Sequence, residues 1–174
     1  LLTLGVTSHA DGHTDFGVIA SISEGLAYRR DDDFRRITEI ACAESLQLIT
    51  LTITEKGYQL NGYDSSYQDA VIKDLGRDPE SDRMSTAMGL VTALLVRRFH
   101  AGATPVAVVS CATFSHNGDM LRTSVLTIAA EWEKRGVIDH RVVEWIAEKV
   151  EFPISVIDKI TPAPSQKVAE QLAA

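Results

Sequence analysis

The sequence predicts an α/β fold, with a mostly parallel sheet, flanking helices and an N-terminal β-hairpin. Three observations carry this. From residue 34 onward, short β-branched segments alternate with segments of helical period, the pattern of strands joined by right-handed crossovers. The strand segments are nearly unbroken in apolar residues, as strands covered on both faces are. Only the first 23 residues depart from the alternation, with two extended runs around an Asp-Gly turn.

The elements follow in order. Leu2 to Val6 and Phe16 to Ser23 form the hairpin, turning at residues 9–13. Asp31, Asp32 and Asp33 supply the cap and the acidic first turn of a helix carrying Phe34, Ile37, Ile40 and Ala41. Gln47 to Thr54 is a covered strand. Tyr63 to Leu75 is weakly helical and stops at Gly76. After a turn at Asp78-Pro79-Glu80, Ser85 caps a helix with Met88, Val91, Leu95 and Phe99 on one stripe, closed by Gly102. Val106 to Cys111 is the next strand. An Asn117-Gly118 turn leads to a helix with Leu121, Val125, Ile128 and Trp132. Asp139 caps another, with Val142, Ile146 and Val150. Phe152-Pro153 stops it, and Ile154 to Ile160 is a last strand before Thr161-Pro162-Ala163-Pro164.

Composition narrows the function. With 174 residues and 45% hydrophobic content, the chain can bury one substantial core. A net charge of −7, with no Lys/Arg run beyond two, argues against nucleic acid or an anionic membrane surface as partner. Cys42 and Cys111 lie far apart in apolar segments, which fits reduced thiols in the cytoplasm. No run of 18 apolar residues and no signal peptide occur, and a start on Leu1 is expected of a segment of something longer. His116 has no partner at metal-ligand spacing, so no metal is expected. Oligomeric state is not set by any of these features.

In open α/β sheets ligands bind at the carboxyl ends of strands. Three strand ends here are polar: Thr54-Glu55-Lys56-Gly57-Tyr58, Ser110-Cys111-Ala112-Thr113 continuing to His116-Asn117-Gly118, and Asp158-Lys159 before Thr161-Pro162. No glycine-rich phosphate loop, nucleophile elbow or H-E-x-x-H motif accompanies them.

Together, LTITEKGY (51–58), VVSCATFSHNGDMLR (108–122) and EFPISVIDKITP (151–162) resemble, in order and spacing, the motifs of the mannitol dehydrogenase family of long-chain polyol dehydrogenases. The family reads approximately TVTEKGY, SCDN followed by NG, and FPN-x-MVDRITP. The resemblance covers nearly the whole chain. It implies a partial Rossmann-like, dinucleotide-binding domain over residues 1–160, with 161–174 as a linker into a helical domain. It also implies hydride transfer between NAD and a sugar alcohol or ketose, or a sugar acid. NADP is not excluded, because the residue that selects the 2′ group would precede Leu1. Carried over by position, Thr54, Glu55, Ser110, Cys111 and Asp158 would bind cofactor. Thr113 and Asn117 would be the catalytic candidates, supporting the substrate oxygen.

One departure bears on chemistry. The Asp and Asn of SCDN are Ala112 and Thr113 here, which keeps a hydroxyl and loses amide reach. Losing one such donor typically costs about 10²–10³ in rate. Lys159 stands where the family has Arg, keeping charge without the bidentate fork. The alternative is a non-catalytic module that retains the scaffold. Lacking the family's phosphate loop and catalytic lysine, the segment alone is expected to be inactive and to bind NAD poorly.

Overall fold

The computed structural model describes residues 3–8, 11, 13–102, 104–157 and 170. The hairpin consists of β1 (Thr3–Ser8) and β2 (Thr14–Ile19), paired antiparallel with Val6 opposite Phe16. Helix α1 spans Asp31–Cys42. Its three aspartates form the first turn, where they favour the positive end of the helix dipole. The N-cap is Arg30, which makes no side-chain cap bond, so the capping role expected of the aspartates is corrected. Asp33 instead reaches back to accept the Ala27 amide at 2.9 Å.

Strand β3 (Leu48–Leu51) runs parallel to β4 (Ala107–Ser110), with Leu48 opposite Ala107 and Leu51 opposite Ser110. On the far side of β4, Glu151 adds a single parallel bridge: Val108 N donates to Glu151 O at 2.8 Å and Glu151 N to Val106 O at 3.2 Å. Two expectations change here. Leu48 is 52% exposed, so β3 is not covered on both faces. Of the last strand expected over residues 154–160, residues 154–157 join no ladder and residues 158–160 lie outside the described set; the bridge at Glu151 precedes them.

Between the strands lie a short 3₁₀ turn (Glu55–Gly57), α2 (Asp69–Leu75) and α3 (Ala87–His100). Thr86, not Ser85, caps α3, accepting the Gly89 amide at 2.9 Å. The buried Asp74 carboxylate decides between them. It accepts the amides of Ser85 at 2.6 Å and Thr86 at 2.8 Å, and the Thr86 hydroxyl at 2.8 Å. Helices α4 (Asn117–Lys134) and α5 (His140–Lys149) follow. Helix α3 packs against α1, α4 and α5, and its Met88, Val91 and Leu95 join Leu121, Val125, Trp132, Val142 and Ile146 in one core with Val108 of β4.

Arg98 of α3 is fully buried without a carboxylate. Its guanidinium donates to four carbonyls: Ala41 at 2.6 Å, Ala43 at 2.8 Å, Leu46 at 2.9 Å and Thr104 at 2.7 Å. The planar fork thereby satisfies orphan carbonyls at the end of α1 and ties together the chain entering β3 and the chain entering β4.

Asp139 caps α5 as expected, accepting the Arg141 amide at 2.8 Å. Beside it, His140 Nδ1 meets Glu133 at 2.8 Å, and that carboxylate holds the imidazole pKa above its ordinary 6.5. Because the folded value is raised, the tie is fully present below the ordinary pKa and is lost as pH rises through the folded one. An NMR titration should give His140 a midpoint above 6.5, with Glu133→Gln moving it back. An unchanged midpoint in that variant would refute the pairing.

Candidate functional site

The carboxyl ends of β3 and β4 lie side by side, since the Cys111 amide donates to Leu51 O at 2.8 Å. Beyond them the chains diverge, one into the 3₁₀ turn, the other through residues 111–116 into α4. Parallel strands that part at this end leave a crevice. Here it is a cleft of about 370 Å³ lined by Thr52, Thr54, Glu55, Cys111, Ala112, Thr113 and Phe114, among others. A second cleft of about 260 Å³ lies across the same loop, between Ala112–His116 and Ile154–Ile157. Residues 112–114 are the shared wall of both.

That wall is held from beneath. Asn117, fully buried, donates through Nδ2 to Ala112 O at 2.8 Å, Ser155 O at 3.0 Å and Ser155 Oγ at 3.1 Å. Its Oδ1 accepts the Ser155 amide at 3.0 Å. The Ser155 hydroxyl donates to Ser110 O. The Ser110 hydroxyl donates to Tyr58 OH at 2.7 Å and accepts the Ala112 amide at 3.3 Å. The Tyr58 ring then meets Phe114 edge-on at 5.4 Å between centroids. Burial pushes the Tyr58 phenol above its ordinary pKa, a shift that the Ser110 hydrogen bond opposes. Residues from the first two polar strand ends thus meet Ser155 in one hydrogen-bonded network.

Gly118 belongs to the same assembly. A Cβ there would lie 2.6 Å from the carbonyl oxygens of both Phe152 and Pro153. The Asn-Gly pair is therefore not the turn expected from sequence. It forms the first two residues of α4, where the amide clamps residue 155 and the absent side chain lets residues 152–153 cross. His116 before it adopts a left-handed backbone (φ 56°), an uncommon conformation for a residue with a side chain.

The structure brings Thr54, Glu55, Cys111 and Thr113 together on the first cleft. It does not bring Ser110 or Asn117 there. Both are fully buried, and neither lines either cleft. The Asn117 amide, expected to face a substrate oxygen, has both ends already bonded to protein. Asp158 lies outside the described residues. Sequence reading missed Tyr58 and Ser155 as structural partners, although both sit inside the quoted motifs. Among the described residues there is no group of three potential metal ligands and no helix long and apolar enough to cross a membrane.

Parallel strands with packed helices and a polar cleft at the strand ends define part of a doubly wound nucleotide-binding domain. The chain belongs to the mannitol dehydrogenase family: the family model described as the mannitol dehydrogenase Rossmann domain matches residues 2–174. It is 40% identical over 172 residues to the D-mannonate oxidoreductase of Thermotoga maritima, covering 98% of this chain and 32% of that protein. With the mannitol 2-dehydrogenase of Phaeosphaeria nodorum it shares 32% identity, over 92% of this chain and 27% of the relative. Among solved structures, the Pseudomonas fluorescens mannitol 2-dehydrogenase in ternary complex with NAD and D-mannitol superposes with a TM-score of 0.77 at 28% identity, over 98% of this chain and 33% of that one. The chain spans about a third of the length of the curated relatives it matches.

Proposed function

We propose that this chain is the central part of the nucleotide domain of an NAD(P)-dependent oxidoreductase that interconverts a hydroxyl and a ketone on a sugar alcohol or sugar acid in the cytoplasm. The observation that carries this is the cleft at the ends of β3 and β4, because it gathers four of the seven residues assigned by sequence. Its donor set fits one half of a nicotinamide dinucleotide. The hydroxyls of Thr52, Thr54 and Thr113 and the Glu55 carboxylate suit ribose hydroxyls and an alkoxide neighbour. Among the described residues, no Lys or Arg lines the cleft to hold a pyrophosphate. When bound, the cofactor supplies the hydride acceptor or donor.

Within this reading Thr54 and Glu55 orient the ribose, with Cys111 beside them on the neighbouring strand end. Thr113 donates to the substrate oxygen in place of the family's amide. Ser110 and Asn117 hold the loop from below rather than touching ligand. Asp158 is assigned to the cofactor from its motif alone. The similarity to a D-mannonate oxidoreductase, to a mannitol 2-dehydrogenase and to the polyol:NADP oxidoreductase of Gluconobacter oxydans (33% identical over 74% of this chain and 25% of that protein) supports the substrate class and leaves both dinucleotides in play.

The test is an absorbance assay of the full-length polypeptide carrying this chain, with NAD or NADP against D-mannitol, D-mannonate and D-sorbitol. Turnover of at least one pair is expected, and Thr113→Ala should lower kcat by roughly 10²-fold, the usual effect of losing one oxyanion donor. Dinucleotide binding with no turnover on any polyol or sugar acid would favour a non-catalytic module instead.

A further inference from the structure

We propose that Asn117 and Ser155 are positioning residues that set where Thr113 stands in the cleft, acting through the backbone of Ser110 and Ala112. The proposal rests on the oxidoreductase reading and adds to it a mechanism by which two buried side chains control the reacting geometry.

The wall between the clefts, residues 112–114, has few anchors of its own. Ala112 contributes only a methyl group, and Thr113 is exposed. Both backbone groups of Ala112 are fixed by side chains: its amide donates to Ser110 Oγ, and its carbonyl accepts from Asn117 Nδ2. Ser155 fixes the strand end just before, through Ser110 O. Asn117 also has no freedom to swing toward a ligand. Its two N–H bonds are shared among three oxygens, and its Oδ1 is held by the Ser155 amide. A side chain saturated in this way transmits position. It cannot touch substrate without dismantling the loop.

The geometry also explains why this part of the chain needs residues from two distant segments. Residues 152–155 arrive from α5, cross over Gly118 and deliver Ser155 to the space between Ser110 and Asn117. The loop next to the cleft is therefore set by a segment 38 positions away in sequence. In the same segment, residues 154–157 line the second cleft. A shift of residues 152–157 would move Thr113 with it.

Catalytic geometry is sensitive to such shifts, with a 1 Å misplacement costing on the order of 10²-fold. In the full-length polypeptide, Ser155→Ala should lower kcat about tenfold, while the KM for dinucleotide changes less than threefold, an estimate scaled from that sensitivity. Ser155→Thr, which keeps the hydroxyl, should restore most of the loss. Thr113→Ala should then cost much less in the Asn117→Ala background than in the parent, because the loop is already displaced. Additive losses would overturn the proposal while leaving the oxidoreductase reading intact.

Hydrogen–deuterium exchange supplies a readout that does not need activity. Peptides covering residues 111–116 should exchange faster in Ser155→Ala and regain protection in Ser155→Thr, with α5 unchanged. Equal exchange in all three proteins would overturn the proposal even if the parent turns over no substrate. Absence of turnover in the parent, with the loop response intact, would instead remove the oxidoreductase reading.

Discussion

Replacing Gly118 with alanine is expected to cost the protein at least about 2 kcal/mol of stability, the range for forcing atoms into a packed site. Helix propensity alone predicts the opposite sign. In an open position alanine would stabilise the first turn of α4 by roughly 1 kcal/mol relative to glycine. Sterics win here because the obstacles are backbone atoms: the carbonyl oxygens of Phe152 and Pro153 at 2.6 Å from the new methyl. Neither can rotate away, and displacing them pulls Ser155 out of its bonds with Asn117 and Ser110. Urea denaturation provides the measurement. Gly76→Ala is the control, because its Cβ would meet nothing nearer than 3.6 Å, and a change within about 0.5 kcal/mol is expected there. A Gly118→Ala protein as stable as the parent would mean that residues 152–153 do not cross at this point.

A comparable loss is expected at the opposite end of the sheet. Arg98→Lys should destabilise by about 3 kcal/mol or more, since each buried carbonyl left without a donor costs roughly 1–3 kcal/mol. A single ammonium cannot span the carbonyls of Ala41, Ala43, Leu46 and Thr104 as the guanidinium fork does. Arg98→Met, which supplies no donor at all, should be worse. For a chain of this size the lysine variant should melt roughly 6–12 °C below the parent, at about 2–4 °C per kcal/mol. Arg35→Lys makes the comparison sharp. Its pair with Asp32 is on the surface, with both side chains largely exposed, and its loss should be worth under about 1 kcal/mol. If the Arg98→Lys and Arg35→Lys proteins melt together, the buried fork is not supporting the sheet.

Much of the architecture was legible because it is locally encoded. The hairpin, α1, the Asp139 cap and the apolar stripe of α3 follow from periodicity and short-range side-chain chemistry. The misreadings share a cause, which is a partner distant in sequence. Ser85 and Thr86 are both good caps, and the choice is made by Asp74, more than ten residues upstream. Asn117-Gly118 carries the local signature of a turn, yet its residue types are dictated by the crossing of residues 152–155. The apolar run after Pro153 has the composition of a strand. It leaves the ladder because the Ser155 amide donates to the Asn117 side chain rather than to a neighbouring strand. Of the site residues, Thr54, Glu55, Cys111 and Thr113 were placed on the cleft by their position at strand ends. Ser110 and Asn117 come from the same motif but face inward, and an alternation of faces across a loop cannot be read from spacing alone.

The network under the cleft is almost wholly neutral. Asn117, Ser110, Ser155 and the backbone of Ala112 carry no ionisable group, and Tyr58 is the one exception. Its phenol is held above the ordinary tyrosine value, so the stability it lends is intact below about pH 10 and fades only as alkalinity passes the folded value. Arg98 likewise stays cationic at any pH the protein would meet. The hydrogen bonds beneath the loop, Tyr58 apart, thus have nothing to titrate. Between neutral and mildly alkaline conditions these bonds keep their protonation states, so Ala112 and Ser155 are held in one arrangement across that range.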